Sequence, residues 1–319
     1  MCCTARLLLI AALLALQVLP CRAALERAEI VRLAASVLRI EVQRERGAVS
    51  LGSAVAVGRE RVVTNCHVTR DGRTIHVLRG GVRWPGHALR SDFARDLCLL
   101  GVPGLQAPVV PLGHASGLAI GQRVAALGYT GGAGIQSSAG QVLELHRHDG
   151  GHVIQSNNRF SSGASGGGLF DDQSRLVGIL TFRLRGGDAH YFAAPVEWVR
   201  QMLDASGEPP DRGAPTLAYW QAASSQQPLF LQAAALQRDD RWNDLAVLTR
   251  HWLRQTDGDA EPWHLLGLAL ARLNQPQAAR AALECSLHLA PSHITVRSNL
   301  DRLRADGGAT AAPNLGEVC

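Results

Sequence analysis

The chain has 319 residues, 46% of them hydrophobic and 18% charged, a balance that supports a packed core and excludes wholesale disorder. The formal net charge is +5, with arginines spread along the chain and aromatics at only 5%, so the basic stripe with aromatic platforms that nucleic-acid binding uses is missing. There is no lysine, which excludes a Ser–Lys dyad, a Schiff base and a Walker A phosphate loop.

Residues 1–23 read as an export signal. Arg6 gives a short positive region, Leu7 to Leu19 is almost wholly apolar, and Cys21-Arg22-Ala23 offers small residues at the cleavage positions. The run is short for a membrane span, and Pro20 sits where a lipoprotein signal wants a small residue ahead of Cys21. The expectation is a secreted or periplasmic protein of the bacterial envelope with no stable membrane insertion after cleavage. Cys66, Cys98, Cys285 and Cys319 then meet an oxidising compartment, where disulfides persist.

Short apolar stretches separated by turn residues follow. Ser36–Val42, Ser50–Val57, Arg61–Asn65, Thr74–Leu78, Leu97–Val102, Gln122–Leu127, Gly140–Leu145 and Leu176–Phe182 read as strands, and Pro195–Leu203 as a helix with Pro in its first turn. Many short strands without helices between them argue for an all-β barrel or sandwich. The first domain is assigned to residues 24–205 and a turn-rich linker to 206–216.

From 217 to 306 the period turns helical. Trp263, Leu266, Gly267, Leu270, Ala279, Leu283 and Pro291 fall at the spacing of one tetratricopeptide repeat, in which small residues let two antiparallel helices touch. Leu229 to Asp259 reads as a degenerate earlier copy, and Thr295 to Arg304 as a capping helix. About two units are too few to bury a core alone, so they are expected to lean on the first domain or on that cap. Residues 307–319 read as a flexible tail.

Three local patterns carry chemistry. Thr64-Asn65-Cys66-His67 places a His after a strand end, Arg95-Asp96-Leu97 places an Asp before a strand, and Ser162-Gly163-Ala164-Ser165-Gly166-Gly167 places a Ser in a glycine-rich turn. With these residues the chain resembles the trypsin-like serine peptidases over about Leu33 to Leu203, and its short loops are most similar to the HtrA/Deg branch. The resemblance implies an all-β double β-barrel, here followed by an α-helical TPR-like hairpin domain, with no PDZ-like segment evident. It also implies the roles of the three residues: Ser165 as nucleophile, His67 as general base and Asp96 as the group orienting His67. The amides of Gly163 and Ser165 are implied as the oxyanion hole.

Each signal is weak alone; their order His, Asp, Ser is the trypsin-like one. Asp92 is the second candidate acid, but no Leu-x-Leu strand follows it. Gly163-Ala164-Ser165-Gly166-Gly167 also fits G-x-S-x-G, but the α/β-hydrolase elbow needs a helix straight after the Ser, and a turn and strand follow instead. Ala164 stands where digestive members of the family carry an Asp that pairs with a new N-terminus, so that activation route is absent.

By the same resemblance, Arg159, Phe160, Thr181 and Phe182 border the substrate pocket. An inward Arg159 favours an acidic partner and an inward Phe160 a small one; both also read as solvated loop residues. The β edge after Thr181 suits an extended polypeptide substrate. Assembly of the triad brings Cys66 and Cys98 close enough for a disulfide, against the alternative of two buried thiols; Cys285 and Cys319 form a second candidate pair. His146, His148 and His152 surround the Asp149-Gly150 turn and read as solvated, with no metal and no other cofactor expected. The reading is thus an exported serine endopeptidase whose repeats recruit a protein partner or substrate. The alternatives are an inactive protease-like scaffold acting as a binding protein, and an esterase on the same barrel.

Overall fold

The computed structural model describes residues 27–131, 134–184, 190–205, 217–307 and 319. The signal segment 1–23, the linker 206–216 and nearly all of the tail 307–319 lie outside them.

Two closed, antiparallel six-stranded barrels form the β half. After helix α1 (Arg27–Ala34), the first barrel comprises β1 (Val37–Arg44), β2 (Val49–Gly58), β3 (Arg61–Thr64), β4 (Gly72–Arg79), β5 (Val82–Asp92) and β6 (Leu97–Gly101), with the single helical turn α2 (Cys66–Thr69) after β3. Around this barrel the order is β1-β2-β3-β6-β5-β4. The second barrel comprises β7 (Arg123–Tyr129), β8 (Ile135–His148), β9 (Gly151–Ser156), β10 (Gly168–Asp171), β11 (Leu176–Leu184) and β12 (His190–Pro195), in the order β10-β11-β12-β9-β8-β7. Closure leaves no unpaired sheet edge within either ring.

Strand alternation sorts the side chains into distinct cores. Leu38, Ile40, Ala54, Ala56, Val62 and Leu100 fill the first barrel, and Val124, Ala126, Val142, Ile154, Leu169 and Val177 fill the second. Their neighbours on the outer faces, among them Val37, Val55, Val63, Leu127 and Phe170, join a third cluster that runs on into the helices. The barrels are therefore pressed together by the residues that alternate with their own cores.

Helix α3 (Val196–Asp204) follows β12, and among the described residues five α-helices follow the linker: α4 (Leu229–Arg238), α5 (Trp242–Leu253), α6 (Ala260–Arg272), α7 (Pro276–Leu289) and α8 (Ile294–Gly307). The Asp259 side chain caps α6 by accepting from the Glu261 amide at 3.1 Å. A Cβ at Gly267 would lie 2.6 Å from the Leu283 side chain, so glycine is what lets α6 and α7 approach this closely. Phe230, Trp252, Leu266 and Ala282 share a cluster with Phe192 and Trp198 of the β half, so the helices rest on the second barrel as well as on one another. No helix among the described residues is long and apolar enough to cross a membrane.

The strands β5, β9, β10 and β12 lie beyond those the sequence pattern suggested. β5 carries Trp84-Pro85-Gly86 and is mostly exposed or half-buried, so it shows no apolar alternation. The helix predicted from Pro195 begins at Val196, with Pro195 ending β12 as the extended residue before it. The histidines expected in a solvated turn are not solvated together. Asp149 and Gly150 do form the tight turn between β8 and β9, with φ of 44° and 71°. His146, however, is 4% exposed, stacked on Phe230 at 4.3 Å and bonded to Glu261 at 2.7 Å. Strand β8 is long enough to run beneath the helical region, which the polar sequence His146-Arg147-His148 does not announce.

Candidate active site

The candidate triad residues come from three connections at the seam of the two barrels. His67 lies on α2, at the end of β3. Its backbone amide donates to Asp96 Oδ1 at 2.8 Å, and its ring Nδ1 lies 2.6 Å from Asp96 Oδ2. The tautomer protonated on Nδ1 donates to the carboxylate and leaves Nε2 free to accept a proton. Asp96 occupies the left-handed region at φ 60° just before β6, a conformation that Asp tolerates better than most residues. Its backbone carbonyl accepts from Asn65 Nδ2 at 2.9 Å and from the Cys66 amide at 3.3 Å.

The Asp96 side chain is 2% exposed, and burying a carboxylate is costly unless donors surround it. A third donor comes from beyond the linker: Trp220 Nε1 donates to Oδ2 at 3.2 Å. The Trp220 ring meets His67 edge-on at 5.6 Å and stacks on Phe182 at 4.9 Å. The Tyr219 amide bonds to the Ala94 carbonyl at 3.0 Å, anchoring this segment to the Asp96 turn. Burial pushes the Tyr219 phenol far above its ordinary range, and the Asp96 charge adds to the effect. Asp92, the second candidate acid, instead accepts from the Arg95 amide at 3.1 Å within its own turn.

Ser165 lies in the turn between β9 and β10, flanked by Gly163 and Gly166 at φ 97° and 87°. A Cβ at Gly166 would come within 2.1 Å of the Ser53 carbonyl, so only glycine fits there. Ser53, on β2 of the other barrel, holds the turn: its hydroxyl donates to the Gly163 carbonyl and accepts from the Tyr129 amide, both at 2.8 Å. The Ser53 amide donates to the Ser165 carbonyl, also at 2.8 Å. The carbonyls of Ser162 and Ala164 are tied to the amides of Gly131 and Gly167, each at 2.9 Å. In a trans peptide the N–H points opposite to the C=O, so the amides of Gly163 and Ser165 are aimed away from those anchors. The Ser165 hydroxyl donates to the Thr181 carbonyl at 3.2 Å, so its bond to His67 is not closed in this conformation.

A cleft of about 250 Å³ is lined by Arg159, Phe160, Ala164, Leu180, Arg183 and Tyr191 among others. The Phe160 and Tyr191 rings lie 4.9 Å apart. Both arginines are exposed at its mouth. Thr181 and Phe182 are buried instead: the Thr181 hydroxyl donates to the Ile179 carbonyl at 2.8 Å, and Phe182 stacks between Phe192 and Trp220. The sulfurs of Cys66 and Cys98 are 2.05 Å apart, and those of Cys285 and Cys319 are 1.93 Å apart.

Ser53, Tyr219 and Trp220 were not among the residues singled out from the sequence. Ser53 stands in a plain strand pattern. Trp220 follows the linker, 124 residues from the carboxylate it reaches.

Residues 52–179 match the family described as a trypsin-like peptidase domain. Mouse serine protease HTRA4 is 34% identical over 167 residues, covering 49% of this chain and 34% of that protein. A probable periplasmic serine endoprotease DegP-like from Ectopseudomonas mendocina (strain ymp) is 34% identical over 179 residues, covering 52% of this chain and 37% of the relative. The chain thus spans about a third of the length of these curated relatives. The solved HtrA-type protease AlgW with tripeptide superposes with a TM-score of 0.51 at 27% identity, covering 55% of this chain and 62% of that one. The double barrel of this chain is thus similar to the trypsin-like peptidases, and the relatives it matches are HtrA-type and DegP-like serine proteases.

Proposed function

We propose that the chain is an exported serine endopeptidase acting on unfolded or flexible polypeptides through Ser165, His67 and Asp96. The observation that carries the reading is the 2.6 Å contact of His67 Nδ1 with a buried Asp96 carboxylate. A buried carboxylate so held fixes the imidazole tautomer and stabilises the imidazolium that forms when Nε2 takes the serine proton. For that step the Ser165 hydroxyl turns from Thr181 to His67. It then attacks the peptide carbonyl, and the amides of Gly163 and Ser165 receive the developing oxyanion, each contributing on the order of 3–4 kcal/mol. His67 passes its proton to the leaving amine, and water activated by the same imidazole frees the acyl group.

Arg159 and Arg183 at the cleft mouth favour an acidic side chain before the cleaved bond. The Phe160 and Tyr191 rings supply apolar walls for its methylenes. In this reading the Cys66–Cys98 and Cys285–Cys319 pairs are disulfides, consistent with export, and periplasmic relatives support the same compartment. The helices α4 to α8 serve as TPR-like units that recruit a partner or substrate.

A second reading has one observation in its favour: the serine hydroxyl is bonded to Thr181, as it would be in an inactive scaffold. Organophosphonate labelling decides between them. The endopeptidase incorporates label at Ser165 and digests casein, while Ser165→Ala does neither and loses about 10⁶-fold in turnover. A folded wild-type protein that neither labels nor digests is a scaffold.

A further inference from the structure

A group of metal-ligating side chains gathers where the helical region meets the second barrel. Glu144 lies on β8, His264 on α6, and His293 just ahead of α8. One ligand atom from each comes within 4.8 Å of the others. Glu144 Oε2 is 3.1 Å from His293 Nε2 and 3.7 Å from His264 Nδ1. The imidazoles are 6% and 5% exposed, and their rings meet edge-on with centroids 5.0 Å apart.

His264 Nδ1 is buried without a hydrogen-bond partner. An orphaned polar atom in such a place costs stability unless something binds it, and this one faces a carboxylate at more than bonding distance. The nitrogens on the far sides of both rings have neighbours that orient them: the Asn299 carboxamide is 3.4 Å from His264 Nε2, and the Val296 amide is 3.4 Å from His293 Nδ1.

Two imidazoles and a carboxylate with a fourth position left for water are a donor set suited to zinc. Bonds of about 2.0–2.2 Å at tetrahedral angles put the donor atoms roughly 3.3 Å apart, a value that the contacts at 3.1 and 3.7 Å bracket. Calcium and magnesium ask for more oxygen donors than this group offers. The nearby His146 is not free to join, since Glu261 and Gln155 engage both of its nitrogens.

We propose that Glu144, His264 and His293 form a zinc site that clamps the helical region onto the second barrel. The three ligands come from segments far apart in the chain, so one ion ties β8 to α6 and to the start of α8. Binding asks for a tautomer change at each imidazole. His264 takes its proton to Nε2, with the Asn299 carboxamide turned so that its oxygen instead of its nitrogen faces that atom, and Nδ1 then offers a lone pair. His293 moves its proton from Nε2 to Nδ1, exchanging its bonds to Glu144 and to the Val296 amide for one to the metal. The site is independent of the peptidase reading and stands or falls separately.

The test uses the full chain, stripped with a chelator, passed through a desalting column and titrated with zinc alone, then with cobalt. About one zinc per chain is expected, with the intense visible bands of tetrahedral cobalt and a melting temperature raised by zinc. Glu144→Gln, His264→Gln and His293→Gln each weaken binding by more than about 100-fold, since even supporting residues outside the ligand set cost up to that much. His67→Ala leaves the affinity unchanged. No stoichiometric zinc on the wild-type protein, an octahedral cobalt spectrum, or wild-type affinity in the double variant His264→Gln/His293→Gln each overturns the proposal. The wild-type titration does not depend on any variant folding.

Discussion

The Trp220 indole and the His67 imidazole share one acceptor: Asp96 Oδ2 receives Trp220 Nε1 at 3.2 Å and lies 2.6 Å from His67 Nδ1. A donor from beyond the linker therefore competes with the imidazole for the same lone pairs. Removing it takes one of three donors from the buried carboxylate and leaves the imidazole less firmly placed. In Trp220→Phe, which keeps an aromatic surface toward Phe182, the turnover number is expected to fall by roughly tenfold, within the range for a hydrogen bond to a charged group, while KM stays near its wild-type value. Losses spread over kcat and KM would assign Trp220 a packing role only.

Ser53 links the barrels through a hydroxyl that gives to Gly163 and takes from Tyr129. Ser53→Ala takes the acceptor from the half-buried Tyr129 amide, at a cost of about 1 kcal/mol, and frees the turn that carries Ser165. Urea unfolding should show that loss. At temperatures where the variant is fully folded, kcat should fall by more than KM rises. Unchanged kcat would mean that the turn keeps its shape without this anchor.

The residues that make the chemistry recognisable are those whose role is written in their neighbours. His67 ends an apolar strand, Asp96 begins one, and Ser165 sits among glycines that the turn requires at positive φ. The closed barrels follow from the same logic, except at β5, β9, β10 and β12: β5 is half-solvated and keeps no clean alternation, while β9 and β10 are short and mostly buried. What the pattern does not carry is long-range pairing. Trp220 is an ordinary apolar residue after a turn-rich stretch, and only the packed structure brings it to Asp96. His146 lies in a polar stretch of β8 that reads as solvated, because the helix that buries it comes more than 100 residues later.

Arg159 and Arg183 are exposed and line the cleft, where each is expected to be worth up to about fivefold toward a carboxylate, as for other solvent-screened charge pairs. Peptides differing only in Glu or Ala before the cleaved bond should be separated by kcat/KM in favour of Glu. Arg159→Ala and Arg183→Ala should each erode that ratio, and raised salt should erode it further by screening. A wild-type preference for Ala at all salt concentrations would leave Phe160 and Tyr191 as the residues that set the choice.

The Cys66–Cys98 pair spans 32 residues and joins the segment before His67 to the strand after Asp96. If the sulfurs are bonded, closing a loop of that size in the unfolded chain stabilises the fold by about 3–4 kcal/mol. The same two segments are held by other means as well: β3 pairs with β6, with Thr64 opposite Cys98. Asn65 Nδ2, the Cys66 amide and the His67 amide all donate to Asp96. The bridge therefore secures the fold more than the geometry of the triad. Cys66→Ser/Cys98→Ser should unfold at a lower urea concentration by that margin, yet keep kcat within a few-fold where it is folded. Wild-type protein unfolded without reductant should show no reactive thiol at either position, and two reactive thiols there would remove the bridge from the account.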